Sequence, residues 1–264
     1  MPVLFIHWAV NPDIPLPFHW FTLQWYGLMW TISILGSFFL GRWIMQKESV
    51  NEEHLVLLIQ YIFIGAIIGA RLGQVFFYDP AYFLAYPFEV IKVWKGGLAS
   101  HGAILGGLTA ILLFHRYYPQ YSLQWLFDRV ALVIFLPASL IRLGNLFNSE
   151  LYGTVTDVPW AFIFERVDGL PRHPVVLYEA LAYAFLQLVV IAWYRKKGEQ
   201  PWIYVGFFFV TVFSVRFLLE FTKVPEGSLI LGMISRTQLL SVPAIALGLF
   251  FMGLSRQANR SISR

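Results

Sequence analysis

Arg142, Asn145 and Asn148 follow one another at three-residue spacing in the run IRLGNLFNSELYG, so on a helix they progress along one side. A guanidinium presents five N–H donors in a planar fork, and with two amides beside it the set suits a phosphate group. Gly144, between them, lets a neighbouring backbone approach closely. Glu150 and Gly153 end the run, where the glycine is free to turn the chain and the glutamate to order a loop or hold a cation. A plainer reading has Arg142 extend its apolar stem toward a membrane surface, the asparagines join helices, and Glu150 act as a cap.

Arg216 and Glu220 are four apart in RFLLE, a spacing that permits an ion pair within one helix. Because arginine comes first, the weaker order for such a pair, Arg216 is also free to turn toward an anion. Arg71, in GARLGQ, has the same two readings: a ligand contact, or a structural partner for Glu179 or Glu220. His101, in KGGLASHGAIL, is the one histidine inside an apolar segment. A neutral imidazole there accepts a proton near physiological pH, whereas a lone histidine in such surroundings is more often a hydrogen-bonded helix contact. His7, His19, His54, His115 and His173 fall in loops or at segment ends. No pair of histidines has the HExxH spacing or the acidic company of a metal site, so neither metal nor cofactor is expected.

The elements that must position these residues follow from composition. Hydrophobic residues make up 58% of the 264 and charged residues 13%, against about 45 to 50% and about 25% in a soluble domain, which argues for lipid as solvent. Windows of about 20 apolar residues predict seven spanning segments, at 22–45, 54–78, 98–114, 123–146, 176–194, 202–221 and 236–254. The third is short and flanked by Gly96 and Gly97, which suits a tilted or partly re-entrant segment. The fold class expected is all-α, a single polytopic domain over 1–264 with external loops or a small head. Arg42, Lys47, Arg116, Arg195, Lys196, Lys197 and the arginines of the tail crowd the short connections of one side. The positive-inside rule then makes the C-terminus cytoplasmic and the N-terminus external.

With that orientation every segment carries its polar residues at one level. Inward-running segments have them early (Tyr26, His101, Tyr178 with Glu179, Arg236 with Gln238) and outward-running segments late (Arg71, Arg142 with the asparagines, Arg216 with Glu220). A charge at the bilayer centre costs about 2.5–3.5 kcal/mol on insertion scales and so tends to face protein or a wet cavity. A polar layer on one side suits chemistry on a lipid headgroup. A transporter would mark the midplane and continue through both leaflets, and an intramembrane protease would need a serine with a histidine, paired aspartates or zinc ligands, to which the one near match is Ser100 beside His101, adjacent residues that do not face each other on a helix. A purely structural subunit leaves three buried arginines unexplained. No basic tract fits nucleic acid, and the absence of cysteine means that any thiol in the reaction belongs to a partner.

The runs GARLGQVFFYDPAYFLAYPFEVIKVWKGGLASHG, RLGNLFNSELYG, RHPVVLYEA and RFLLEFTKVPEG, in this order, resemble the bacterial prolipoprotein diacylglyceryl transferases over nearly the whole chain. The family pattern G-R-x-G-N-x-x-N-G-E-x-x-G is met at Arg142, Gly144, Asn145, Asn148, Glu150 and Gly153, while Ile141 and Ser149 replace two of its glycines. Arg216 matches the family's second phosphate-binding arginine, but the tyrosine usual four residues before it is Val212 here, and Thr237 replaces the glycine before Gln238. The resemblance implies an enzyme of the bacterial inner membrane, its site toward the outer leaflet, that moves a diacylglyceryl group from phosphatidylglycerol to the lipobox cysteine in a prolipoprotein signal peptide. It further implies His101 and Arg142 as catalytic residues. The substrate-binding set is then Tyr26, Arg71, Asn145, Asn148, Glu150, Gly153, Arg216 and Glu220.

Overall fold

The computed structural model describes residues 5–15, 17, 22–224 and 234–262; His19 and the last residues of RFLLEFTKVPEG lie outside them. Each expected apolar segment is helical. In chain order the helices are α1 Trp25–Lys47, α2 Glu52–Gly73, the short α3 Pro80–Ala85, α4 Ser100–Tyr117, α5 Leu123–Val133, α6 Phe135–Phe147, α7 Val175–Lys197, α8 Ile203–Leu219 and α9 Arg236–Ile262. Among the described residues six stretches are long and apolar enough to cross a membrane: Trp25–Lys47, Glu52–Tyr78, Leu123–Phe147, Val175–Lys197, Ile203–Thr222 and Arg236–Gln257. The protein is thus a multi-pass membrane protein, and the short third segment is α4, with 18 residues. The chain divides into two compact units, Gly41–Leu126 and the remainder.

In the Gly41–Leu126 unit, α2 and α4 lie backbone to backbone. A Cβ on Gly69 would fall 2.3 Å from the Gly102 carbonyl oxygen, and one on Gly106 would fall 2.0 Å from that of Gly65. In lipid, where apolar side chains gain little by leaving the solvent, such small-residue seams are how helices associate. Asn51 starts α2 by accepting from the Glu53 amide, with Glu52 and Glu53 in the first turn where acidic side chains favour the helix dipole.

The larger unit holds α6 against α7 and α8 against α9. The expected segment 123–146 is interrupted at Ile134, between α5 and α6. Pro137 has no N–H to continue the ladder, and Gln187 of α7 takes up the freed groups, donating to the Leu132 carbonyl at 2.8 Å and accepting from the Leu136 amide at 2.9 Å. This tie sets the direction in which α6 carries Arg142. Asp128, fully buried on α5, accepts from the amides of Trp202, Tyr204 and Val205 and so caps the start of α8 from a different helix.

A small head is built from the N-terminal strand and the 147–175 stretch. Strand β1 Ile6–Trp8 leads to β2 Asp13–Ile14, which pairs with β3 Leu23–Gln24, while β4 Phe162–Phe164 and β5 Pro171–Arg172 complete the set. In the head β1 runs parallel to β4, with Ile6 opposite Phe162, and β4 is antiparallel to β5. Trp8 fastens this sheet to the end of α6 through its indole N–H, which donates to the Leu146 carbonyl at 3.1 Å.

Candidate active site

Within the larger unit the residues of IRLGNLFNSELYG form one connected network. Arg142, with 20% of its side chain exposed, donates through Nη1 to Asn145 Oδ1 at 3.3 Å. The Asn145 amide donates to Glu150 Oε2 at 2.9 Å and the Asn148 amide to Glu150 Oε1 at 3.1 Å. Glu150 is therefore held by both asparagines and is the acceptor that orients them. The ring of Tyr26, at the start of α1, lies on Gly144, where a Cβ would come within 2.8 Å of its Cδ2. This close approach is what Gly144 supplies.

The other side of Arg142 meets Glu179 of α7. Arg142 Nε is 2.6 Å from Glu179 Oε2, a charge contact and not an aligned hydrogen bond, and Lys223 Nζ donates to Oε1 at 2.7 Å. Glu179 has no exposed surface, while each cation keeps 20% of its side chain exposed. One carboxylate thus holds two cations, one from α6 and one from the segment after α8, and fixing Nε leaves the outer end of the fork to Asn145. Neither Glu179 as the anchor of Arg142 nor Lys223 as its companion was expected from sequence. The available signal was a glutamate one turn inside the apolar run RHPVVLYEA.

Gly153 answers to space, not to turning. A Cβ there would meet the Thr222 carbonyl oxygen at 2.5 Å and His173 Cβ and Val175 Cγ2 at 2.6 Å each. Gly153 bridges to Lys223 as an isolated antiparallel pair, and Thr154 N–H donates to the Thr222 carbonyl, which brings Lys223 to Glu179. Arg172 donates to the Gly153 carbonyl and clasps Asp168, holding that carboxyl below the usual carboxylate range. The turning conformation falls instead to Ser149 and Leu151, at φ of 57° and 54°. Ser149 stands where the family pattern has glycine, its hydroxyl is buried without a partner, and a side chain in this region costs about 1–2 kcal/mol. Ser149→Gly is expected to stabilise the protein by about 1 kcal/mol, read as a higher melting temperature in detergent; a lower one would refute the strain.

Two expectations need correction. Arg216 and Glu220 do not pair. Glu220 instead accepts from the Ser235 hydroxyl at 2.7 Å, and Ser235 forms a reciprocal N-terminal cap of α9 with Gln238, a use that outcompetes the weak Arg-first pair. Arg216 makes no ion pair among the described residues, and its Nε is buried with no hydrogen-bond partner. Arg71 finds neither Glu179 nor Glu220. All its donors go to backbone, to the carbonyls of Glu89, Val90, Lys92, Gly96 and Gly97, so Arg71 shapes the 79–97 loop and has no donor left for a ligand. His101 opens α4, exposed, and Gly102 beside it lies in the α2–α4 seam.

A buried carboxylate fixes one edge of the Arg142 guanidinium, and Arg216 keeps a buried donor without a partner, both features that suit an anion. The family model described as prolipoprotein diacylglyceryl transferase matches residues 14–254. A phosphatidylglycerol–prolipoprotein diacylglyceryl transferase of Chloroherpeton thalassium is 45% identical, covering 94% of this chain and 93% of its own length. Proteins of the same name from Tolumonas auensis, 41% identical over 95% of this chain and 97% of theirs, and Bacteroides fragilis, 38% identical over 95% of both, are similar at full length. On this similarity, and on motifs that fold into one network, the chain belongs to the prolipoprotein diacylglyceryl transferase family.

Proposed function

We propose that this chain moves the diacylglyceryl group of phosphatidylglycerol onto the lipobox cysteine of a prolipoprotein signal peptide, the first step of lipoprotein maturation, at the outer side of the bacterial inner membrane. The observation that supports the reading is Arg142, held through Nε by the buried Glu179 and through Nη1 by Asn145. Residues 14–254 match the family, and the relatives' shared name supplies the two substrates.

The reaction is a substitution at the glyceryl carbon that bears the phosphate. The cysteine sulfur bonds to that carbon, the carbon–oxygen bond breaks, and its electron pair leaves on the phosphate of glycerol phosphate. The thiol proton must go first, since the thiolate is the nucleophile; His101 is the base proposed, directly or through water. Arg142 and Arg216 stabilise the charge that grows on the departing phosphate. Asn145, Asn148 and Glu150 keep Arg142 in place, and Tyr26 and Glu220 border the headgroup.

Incubating the purified protein in phosphatidylglycerol vesicles with a lipobox peptide should add one diacylglyceryl mass to the peptide cysteine. A Cys→Ser peptide should stay unmodified. No adduct on the cysteine peptide would sink the proposal, and turnover of the serine peptide would exclude thiolate chemistry.

A further inference from the structure

Tyr183 lies on α7 one turn beyond Glu179, so the two side chains share a helix face, the face on which Glu179 meets Arg142. The residue is 3% exposed. Its hydroxyl nevertheless has no hydrogen-bond partner among the described residues, although a buried tyrosine O–H usually finds one. The charges of Glu179, Arg216 and Arg142 all act on this hydroxyl, and Arg216 likewise buries an Nε with no partner. On α8 the residue one turn before Arg216 is Val212, buried and apolar, so α8 offers no hydroxyl there.

The buried, unpartnered Nε of Arg216 and the Tyr183 hydroxyl suit a single ligand rich in acceptors. Glu179 answers Arg142 and Lys223, whereas Arg216 has no ion pair among the described residues, and a water at its Nε would bring no negative charge. A phosphodiester offers two non-bridging oxygens that share one negative charge, enough for both arginines and one hydroxyl. We infer that Tyr183 is a third phosphate-contacting residue, donating its hydroxyl proton in a hydrogen bond to a non-bridging oxygen of the phosphodiester gripped by Arg142 and Arg216. The contact persists in the departing glycerol phosphate and strengthens as charge accumulates there. This inference rests on the proposed transferase reaction and adds a residue to its phosphate site.

Tyr183→Phe removes the hydroxyl and keeps the ring. In the vesicle assay kcat/KM for phosphatidylglycerol is expected to fall about ten- to a hundredfold, the range for a hydrogen bond to a charged group. The inhibition constant of added glycerol phosphate should rise in parallel, and KM for the peptide should not move. The melting temperature should hold, because the hydroxyl has no hydrogen bond within the described residues to lose. An unchanged kcat/KM would overturn the assignment, as would an unchanged glycerol phosphate constant or a fall in melting temperature that revealed a structural hydrogen bond. Wild-type protein run alongside separates the two ideas: no transfer by the wild type refutes the reaction, whereas normal wild-type transfer with an unaffected variant refutes only the role of Tyr183.

Discussion

Arg142→Ala is expected to lower kcat/KM for phosphatidylglycerol by about 10³-fold or more. Removing a single preorganised donor to a developing oxyanion costs about 10²–10³-fold, and this substitution removes a guanidinium and its charge together. The loss should appear in kcat as well as KM, since the interaction strengthens as the phosphate departs. Stability should suffer less than activity. Glu179 keeps Lys223 at 2.7 Å after the change, so its buried carboxylate is not left alone. Arg142→Lys is the sharper comparison. A lysine ammonium is a point charge and cannot at once meet Glu179, Asn145 and a phosphate oxygen as the fork does, so it should restore only a small part of the rate. Wild-type turnover by Arg142→Lys would show that charge alone suffices and would remove the reason for the Glu179 anchor.

The helices were legible because lipid imposes a length and a composition: the expected 22–45, 176–194 and 236–254 correspond to Trp25–Lys47, Val175–Lys197 and Arg236–Ile262. The interruption at Ile134 was not, because Pro137 sits in an otherwise apolar run and its consequence depends on Gln187, some fifty residues away, reaching the exposed backbone. The head was visible only as a long stretch. Its strands have two or three residues, too short for an alternation to register, and β1 finds β4 across more than 150 positions. At the site, local spacing correctly united Arg142, Asn145, Asn148 and Glu150, all within nine residues. The carboxylate pairs that spacing allowed for Arg71 and Arg216 do not form. Backbone carbonyls satisfied the first, a kind of partner that leaves no trace in the side-chain sequence, and a competing helix cap took Glu220 from the second.

Glu179→Ala tests the anchor itself. With the carboxylate gone, Arg142 and Lys223 face each other across a site that has lost its one fully buried negative charge. Breaking a buried pair from one side costs about 3–5 kcal/mol. Because both cations retain 20% exposure and can be partly rehydrated, about 3 kcal/mol is expected here, at the lower end of that range. Lys223→Met should cost less, since Arg142 still neutralises Glu179. In Glu179→Ala/Lys223→Met the second change removes one of the two stranded charges, so the double variant should be more stable than Glu179→Ala alone, with a coupling of about 1–3 kcal/mol. Catalysis should not follow that recovery. Arg142 remains without its Nε anchor in the double variant, so kcat/KM should stay as low as in Glu179→Ala while the melting temperature rises. Stability and rate recovering together would mean that Glu179 serves only the fold, and additive effects on melting temperature would mean that Glu179 and Lys223 do not act as a pair.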